Sequence, residues 1–423
     1  MLPVYHNTLD FARQSDESDP LQDFRNRFLF PQHDDREVVY FTGNSLGLQS
    51  KSVRTALEQE LSDWAALGVE GHFHATTPWW QYHKALQEPL ARVIGAKPEE
   101  VVAMNSLTVN LHLMLVTFYQ PTPERYKILC EAGSFPSDDY ALETHVRMRG
   151  LKPEDVIVEI APRQGETTLR SEDILEAIRN AGQSLALVMF AGVQYYTGQV
   201  FDMKSITYAA HHVGAFACFD LAHAVGNIPM KLHEWRVDAA VWCSYKYLNS
   251  SPGGVAGMFV HERHATNKDL PRLAGWWGNE ESERFQMKKG FRPALGAQSW
   301  QLSNPPAILM AAHKAALEIF DEAGIERLRK KSEELTGFLE FVIRDVAGSR
   351  ITIITPTNPA ERGAQLSLFI EKNGRAVFEY LLANGAIVDW REPNVIRAAP
   401  APLYNSFEDV WRFGELLKEA LAM

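Results

Sequence analysis

The chain has 423 residues, of which 42 are basic and 53 acidic, for a formal charge of −11. Hydrophobic residues make up 46% and charged residues 22%, an ordinary globular balance that excludes disordered, collagen-like and low-complexity classes. The acidic excess argues against a nucleic-acid surface, which needs clustered Lys and Arg.

The first ten residues carry neither a basic stretch nor a long apolar core, so no secretory signal is expected. Residues 38–41 read as a strand. Gly43-Asn44-Ser45-Leu46-Gly47 follows and fits the G-x-S-x-G elbow of a serine hydrolase. That fold places its His late in the chain, and the last His here is His313. A glycine-bounded turn accounts for the motif as well. Ser52 opens a helix with apolar positions at Val53, Leu57, Leu61, Trp64 and Leu67, closed by Gly68. Farther on, Asn105-Ser-Leu-Thr-Val-Asn110 precedes an apolar helical run over 111–118. Hydroxyls at such a start suit a phosphate, or simply cap the helix.

Short apolar runs then alternate with helical stretches. Strands are predicted at 126–130, 156–160, 185–190, 215–219, 239–243 and 257–260, with helices between several of them at 171–181 and 204–213. Strands apolar throughout and separated by helices belong to a sheet buried on both faces, hence an α/β domain. Two of these runs end in chemistry. The run at 215–219 stops at Asp220, with His223 just beyond; the run at 239–243 is followed by Ser244-Tyr245-Lys246-Tyr247. A carboxylate at the carboxyl end of a buried strand sits where α/β sheets bind ligands. A Lys there is costly unless it is paired or covalently used. Pyridoxal phosphate needs this pair: a Lys to bond its aldehyde and an Asp to keep its pyridine nitrogen protonated. Ordinary strand-end ion pairs would give the same pattern. Phe135-Pro-Ser-Asp138, after the 126–130 strand, offers an aromatic ring to lie over a flat group, or a plain turn.

Beyond about residue 310 the texture changes to a smaller α+β unit. A charged helix is predicted over 325–346, strands at 351–354, 366–370 and 387–389, and helices at 375–383 and 407–421. Arg397 lies in a short apolar stretch, where it calls for a carboxylate partner, either in the protein or in a substrate. The three cysteines, Cys130, Cys218 and Cys243, each sit in an apolar run, which suits a reducing compartment. The longest apolar run, 185–193, has nine residues, against about 20 for a membrane helix. A soluble cytoplasmic protein is expected. No His spacing makes a trustworthy metal motif, and adjacent His211 and His212 point in different directions on a helix.

Taken together with Phe41-Thr-Gly-Asn-Ser-Leu-Gly-Leu48, Gln194-Tyr-Tyr-Thr-Gly198, Gly275-Trp-Trp-Gly278, Ser303-Asn-Pro-Pro306 and Pro402-Leu-Tyr-Asn-Ser406, these stretches resemble the kynureninases. That family belongs to the fold-type-I pyridoxal phosphate enzymes. The resemblance covers nearly the whole chain. It implies a large cofactor-binding α/β domain at 50–310, and a small α+β domain formed by 1–49 with 311–423. It implies hydrolysis of kynurenine or 3-hydroxykynurenine, in tryptophan breakdown or nicotinamide cofactor synthesis. By resemblance Lys246 is the covalent lysine, Asp220 the partner of the pyridine nitrogen and Phe135 the stacking ring. Leu107, Thr108, Asp138, His223 and Tyr245 are further cofactor positions, and Tyr245 is also a proton carrier. Trp276 and Asn304 are supplied across a homodimer interface. Arg397 binds the substrate carboxylate, with Ser45, His72 and Asn304 also on the substrate side. Ala191 stands where some members have Ser. A desulfurase or aminotransferase of the same fold is the alternative, but a desulfurase needs a Cys after the Lys, and Cys243 precedes Lys246.

Overall fold

The computed structural model describes residues 4–265 and 267–423. Seven strands form the main sheet: β1 (Val101–Ala103), β2 (Lys127–Glu131), β3 (Ile157–Ile160), β4 (Leu185–Ala191), β5 (Phe216–Asp220), β6 (Ala239–Trp242) and β7 (Gly257–Val260). Their spatial order is β1-β7-β6-β5-β4-β2-β3. Pairing is parallel from β6 through β3, and β7 runs antiparallel to both its neighbours. Successive side chains face opposite ways, so Phe219 enters the apolar cluster on one side of the sheet and Cys218 the cluster on the other. This double burial is why the strands read as continuous apolar runs.

The predicted strands hold to within a residue or two. Residues 153–156, however, form a helical turn before β3, because Pro153 starts it and Glu154 and Asp155 suit a helix N-terminus. Two helices lead from the sheet's cavity end: α1 (Leu107–Phe118) and α2 (Pro136–Met148). The first begins four residues before the predicted apolar run. Asn105, at φ 52°, turns the chain so that Ser106 takes the cap position and Leu107 the first helical one.

A second, four-stranded sheet holds β8 (Thr352–Ile353), β9 (Leu366–Phe369), β10 (Asp389–Arg391) and β11 (Val395–Ala398), in the order β8-β9-β11-β10. Helices α3 (Ile325–Ala347) and α4 (Phe407–Ala420) cover it, with Phe338, Val342 and Phe413 packed against Leu366, Leu368 and Ile396. The predicted strand at 387–389 is split. Ala386–Ile387 pairs in parallel with Val39–Tyr40, while Asp389 begins β10 of the other sheet.

The Ser52–Leu67 helix forms as predicted, but only the first part of its apolar stripe, Val53 and Leu57, packs on the core. Leu61 is 53% exposed and Trp64 63%, whereas Glu60 is buried and accepts hydrogen bonds from Trp79 Nε1 (2.7 Å) and the Tyr82 hydroxyl (3.0 Å). Among the described residues no helix is long and apolar enough to cross a membrane.

Candidate active site

The carboxyl ends of the parallel strands open into a cavity of ≈ 230 Å³. Glu131, Ala191 and Asp220, the last residues of β2, β4 and β5, and Cys243, just past β6, lie along one edge there, where α/β sheets bind ligands. Ser45, Leu107, Thr108, Phe135, Asp138, His223, Tyr245, Lys246 and Arg397 all line the same cavity.

Lys246 Nζ lies 3.0 Å from His223 Nε2. Burial, then the positive charge of Lys246, holds the His223 imidazole well below its ordinary pKa, so the neutral ring accepts from the ammonium. Asp220 Oδ1 accepts from the Ala222 amide at 2.7 Å. Burial raises its pKa, with Lys246 pulling the other way. Asp138 faces Asp220. Its own pKa stands well above normal, from burial and then from the Asp220 charge, and its buried Oδ1 has no partner. Burial and the facing Asp220 carboxylate thus both favour the protonated form of Asp138. Burial, then Cys243, also raises the Tyr245 phenol.

Above this floor Phe135 is 41% exposed, its ring 5.9 Å from Lys246 Nζ and edge-on to Tyr195 at 5.2 Å. Thr108 Oγ1 and Ser137 Oγ are 2.9 Å apart and tie the starts of α1 and α2 together, so two helix N-termini converge on the cavity. The Gly43–Gly47 segment is a turn, not a nucleophile elbow. A Cβ on Gly47 would lie 2.4 Å from the Lys246 carbonyl, and the Gly47 amide donates to the Tyr245 carbonyl at 2.8 Å. Glycine is needed so that this turn can press against the Lys246 loop. Ser45 is carried to the cavity by that turn.

Arg397 is almost wholly buried and, beyond lining the cavity, has a partner within the protein. Its Nε and Nη2 meet Asp389 at 2.9 and 2.8 Å, and Nη1 donates to the Tyr195 carbonyl at 2.8 Å. The carboxylate partner that the sequence calls for is thus found within the protein, in Asp389.

Three predicted site residues lie elsewhere in this chain. His72 packs edge-on to Trp79 at 5.6 Å. Trp276 is 41% exposed and donates to the Arg284 carbonyl at 3.0 Å. Asn304 is exposed. Glu131, Asn44, Tyr195 and Arg391 line the cavity without having been singled out from the sequence. For Glu131 the signal was present, since it ends an apolar strand just as Asp220 does.

The relatives decide the family. A protein from Flavobacterium psychrophilum named kynureninase is 53% identical over 421 residues, 99% of each chain. Kynureninases from Koribacter versatilis and Myxococcus xanthus are 53% and 52% identical, with 97% and 98% of both chains aligned. The chain belongs to the kynureninase family. The family model "Kynureninase C-terminal domain" matches residues 328–417, the part that carries Asp389 and Arg397. Among solved structures, a cysteine desulfurase from Thermococcus onnurineus superposes with a TM-score of 0.76 at 17% identity, over 96% of this chain and 97% of that one. A cystine lyase with glycine covalently linked to its pyridoxal phosphate gives 0.75 at 16% identity, over 90% and 96%. These likenesses show the shared fold, that of fold-type-I pyridoxal phosphate enzymes. Within the kynureninase family, the Gly-Trp-Trp-Gly and Ser-Asn-Pro-Pro stretches of this chain lie outside its own cavity.

Proposed function

We propose that this protein hydrolyses L-kynurenine, 3-hydroxy-L-kynurenine or both, to anthranilate or 3-hydroxyanthranilate and L-alanine, with pyridoxal 5′-phosphate as cofactor. The observation that carries it is the convergence of Lys246, Asp220 and Arg397 on one cavity in a chain of this family. The residues fit the cofactor. They supply an amine, a buried acid pair with an unpartnered oxygen, an exposed aromatic face and two helix starts for a phosphate. When bound, the cofactor draws electrons from the substrate and so makes its Cβ–Cγ bond cleavable by water.

Each residue then has a task. Lys246 would hold the cofactor's aldehyde carbon and, as a free amine, would move the proton at the substrate Cα, with His223 holding the amine in place. Asp220 would keep the pyridine nitrogen protonated, with Asp138 facing it from the start of α2. Leu107 and Thr108, at the start of α1, would hold the phosphate, and Phe135 would stack on the ring. Arg397 grips the α-carboxylate and fixes the angle of the reacting bond. Tyr245 carries a proton to or from the leaving fragment.

We further assign a homodimer in which Trp276 and Asn304 enter the partner's site, with His72 and Ser45 beside the substrate. The uncovered Leu61, Trp64 and Trp276 support this. The three thiols are buried and unpaired, in keeping with a cytoplasmic location, and the acidic charge gives no reason to expect a nucleic-acid partner. We assign a 50–310 domain and a domain of 1–49 with 311–423, which the two separate sheets support, although the Ala307–Ala323 helix spans that boundary and packs into the larger core. Anthranilate fluorescence after mixing protein, cofactor and L-kynurenine tests the activity, with 3-hydroxykynurenine alongside. Product from either substrate is expected. A folded, cofactor-loaded protein that yields neither overturns the reading.

A further inference from the structure

The Arg397 wall has a charge count that one arginine does not explain. In β10 and β11, Asp389 stands directly opposite Arg397 across the ladder, and Arg391 lies two residues on from Asp389. The two-residue strand period puts Asp389 and Arg391 on one face, so all three side chains meet. Asp389 is held on both sides. Arg397 contacts its oxygens at 2.9 and 2.8 Å, Arg391 at 2.9 and 3.1 Å. Both guanidinium carbons lie 6.0 Å from the Tyr195 ring centre, which gives each like-charged head an aromatic partner. Arg397 is 1% exposed, Asp389 14% and Arg391 34%, so Arg391 is the one facing the cavity mouth.

Arg397 bound to Asp389 alone would be a neutral pair. A substrate carboxylate entering beside it would leave one uncompensated negative charge in a buried site, which is strongly unfavourable. Arg391 changes the sum. Two guanidiniums against Asp389 leave one positive charge, and an incoming carboxylate brings the group to zero. Of the five N–H donors of Arg397, Nε and one on each Nη are already committed, which leaves a second N–H on each Nη for the ligand.

We infer that Arg391 is a positioning residue for the substrate α-carboxylate: by sharing Asp389 it keeps Arg397 net cationic and free to bind an anion. This rests on the reading of Arg397 given under Proposed function. Neither the sequence pattern nor the relatives' names assign Arg391 a part.

The test uses the cofactor-loaded protein with Arg391→Gln and Arg391→Lys. Steady-state turnover of L-kynurenine is measured at low and high salt. Binding of L-alanine and of L-alaninamide, which lacks the carboxylate, is followed by the cofactor's absorbance. Arg391→Gln raises KM and the L-alanine Kd about tenfold, the worth of one partly screened charge-assisted contact, and leaves kcat within about twofold. L-Alaninamide binding is unchanged, and the rise of KM with salt flattens. Arg391→Lys keeps the charge and stays within about threefold of the wild type. An unchanged L-alanine Kd in Arg391→Gln overturns the inference. So does an equal weakening of L-alanine and L-alaninamide, or a Lys variant as weak as the Gln variant. Should the wild type leave both kynurenines intact, the activity falls, while the comparison of L-alanine with L-alaninamide still decides the role of Arg391.

Discussion

The two ends of the main sheet both bury carboxylates, and they treat them in opposite ways. At the end where β1 and β6 begin, Glu100 and Asp238 are saturated with donors. Asp238 meets the Ala217 amide at 2.7 Å, His211 at 2.8 Å, His264 at 2.7 Å and the Arg263 guanidinium. Burial pushes its pKa up, but these bonds and charges outweigh burial and hold it below the ordinary carboxylate range. Glu100 is likewise taken by the Lys97 and Glu262 amides and His233 Nδ1. At the opposite end Asp138, Asp220 and Glu131 crowd one another, short of donors, with pKa values raised. The same residue type is a clamp where its partners are complete, and a reactive group where they are left incomplete.

This contrast can be broken by single substitutions. At the reactive end, Lys246→Ala removes measurable turnover, and borohydride no longer fixes the cofactor to the protein. The melting temperature of the apoprotein moves by only about 2 °C, because a half-buried amine on a loop holds little of the fold together. Mass spectrometry and calorimetry check both halves. An Ala variant that keeps its activity would remove Lys246 from the chemistry. At the clamped end the pattern inverts. Asp238→Asn costs about 3 kcal/mol of stability, since it leaves the partly buried Arg263 guanidinium short of a charge, while KM for kynurenine stays as it was. Denaturant unfolding beside steady-state kinetics reads this directly.

Much of the reactive end was legible in the sequence. Asp220 and Lys246 announce themselves because an apolar strand must end where a charged group can reach a cavity. Arg397 stood out as a cation inside an apolar stretch. Its partner did not, because pairing Asp389 with Arg397 depends on the β10–β11 register, and the run at 387–389 reads locally as one strand when it serves two sheets. The Ser52–Leu67 helix shows the converse failure. Its apolar spacing is real, but periodicity only says that a face wants covering, and in this chain Leu61 and Trp64 are uncovered. Trp276 and Asn304 were marked by motif alone, and a single chain leaves them apart from the cavity.

The smallest effect sharpens the contrast most, because its sign is opposite at the two ends. Burial pushes the Glu131 carboxyl up to about 8, with Asp220 and Asp139 adding to the shift and the Ala191 amide, at 3.2 Å, opposing it. An unfolded Glu titrates near 4.3. Below about pH 4 both states hold the proton and Glu131 imposes no penalty; between about 4 and 8 only the unfolded chain releases it, so stability falls as pH rises and levels off above. Glu131→Gln carries no such proton. In the apoprotein the variant therefore melts level with wild type in acid and a few degrees higher by about pH 8. Asp238 behaves the other way. Its depressed pKa lends stability that is present above the unfolded value near 3.9 and lost as pH falls below it, so the deficit of Asp238→Asn is full at neutral pH and shrinks in acid. Melting curves of both variants across pH should diverge from wild type in opposite directions. Parallel curves would mean that Glu131 finds enough donors to ionise, and that the two ends of the sheet do not differ as their geometry requires.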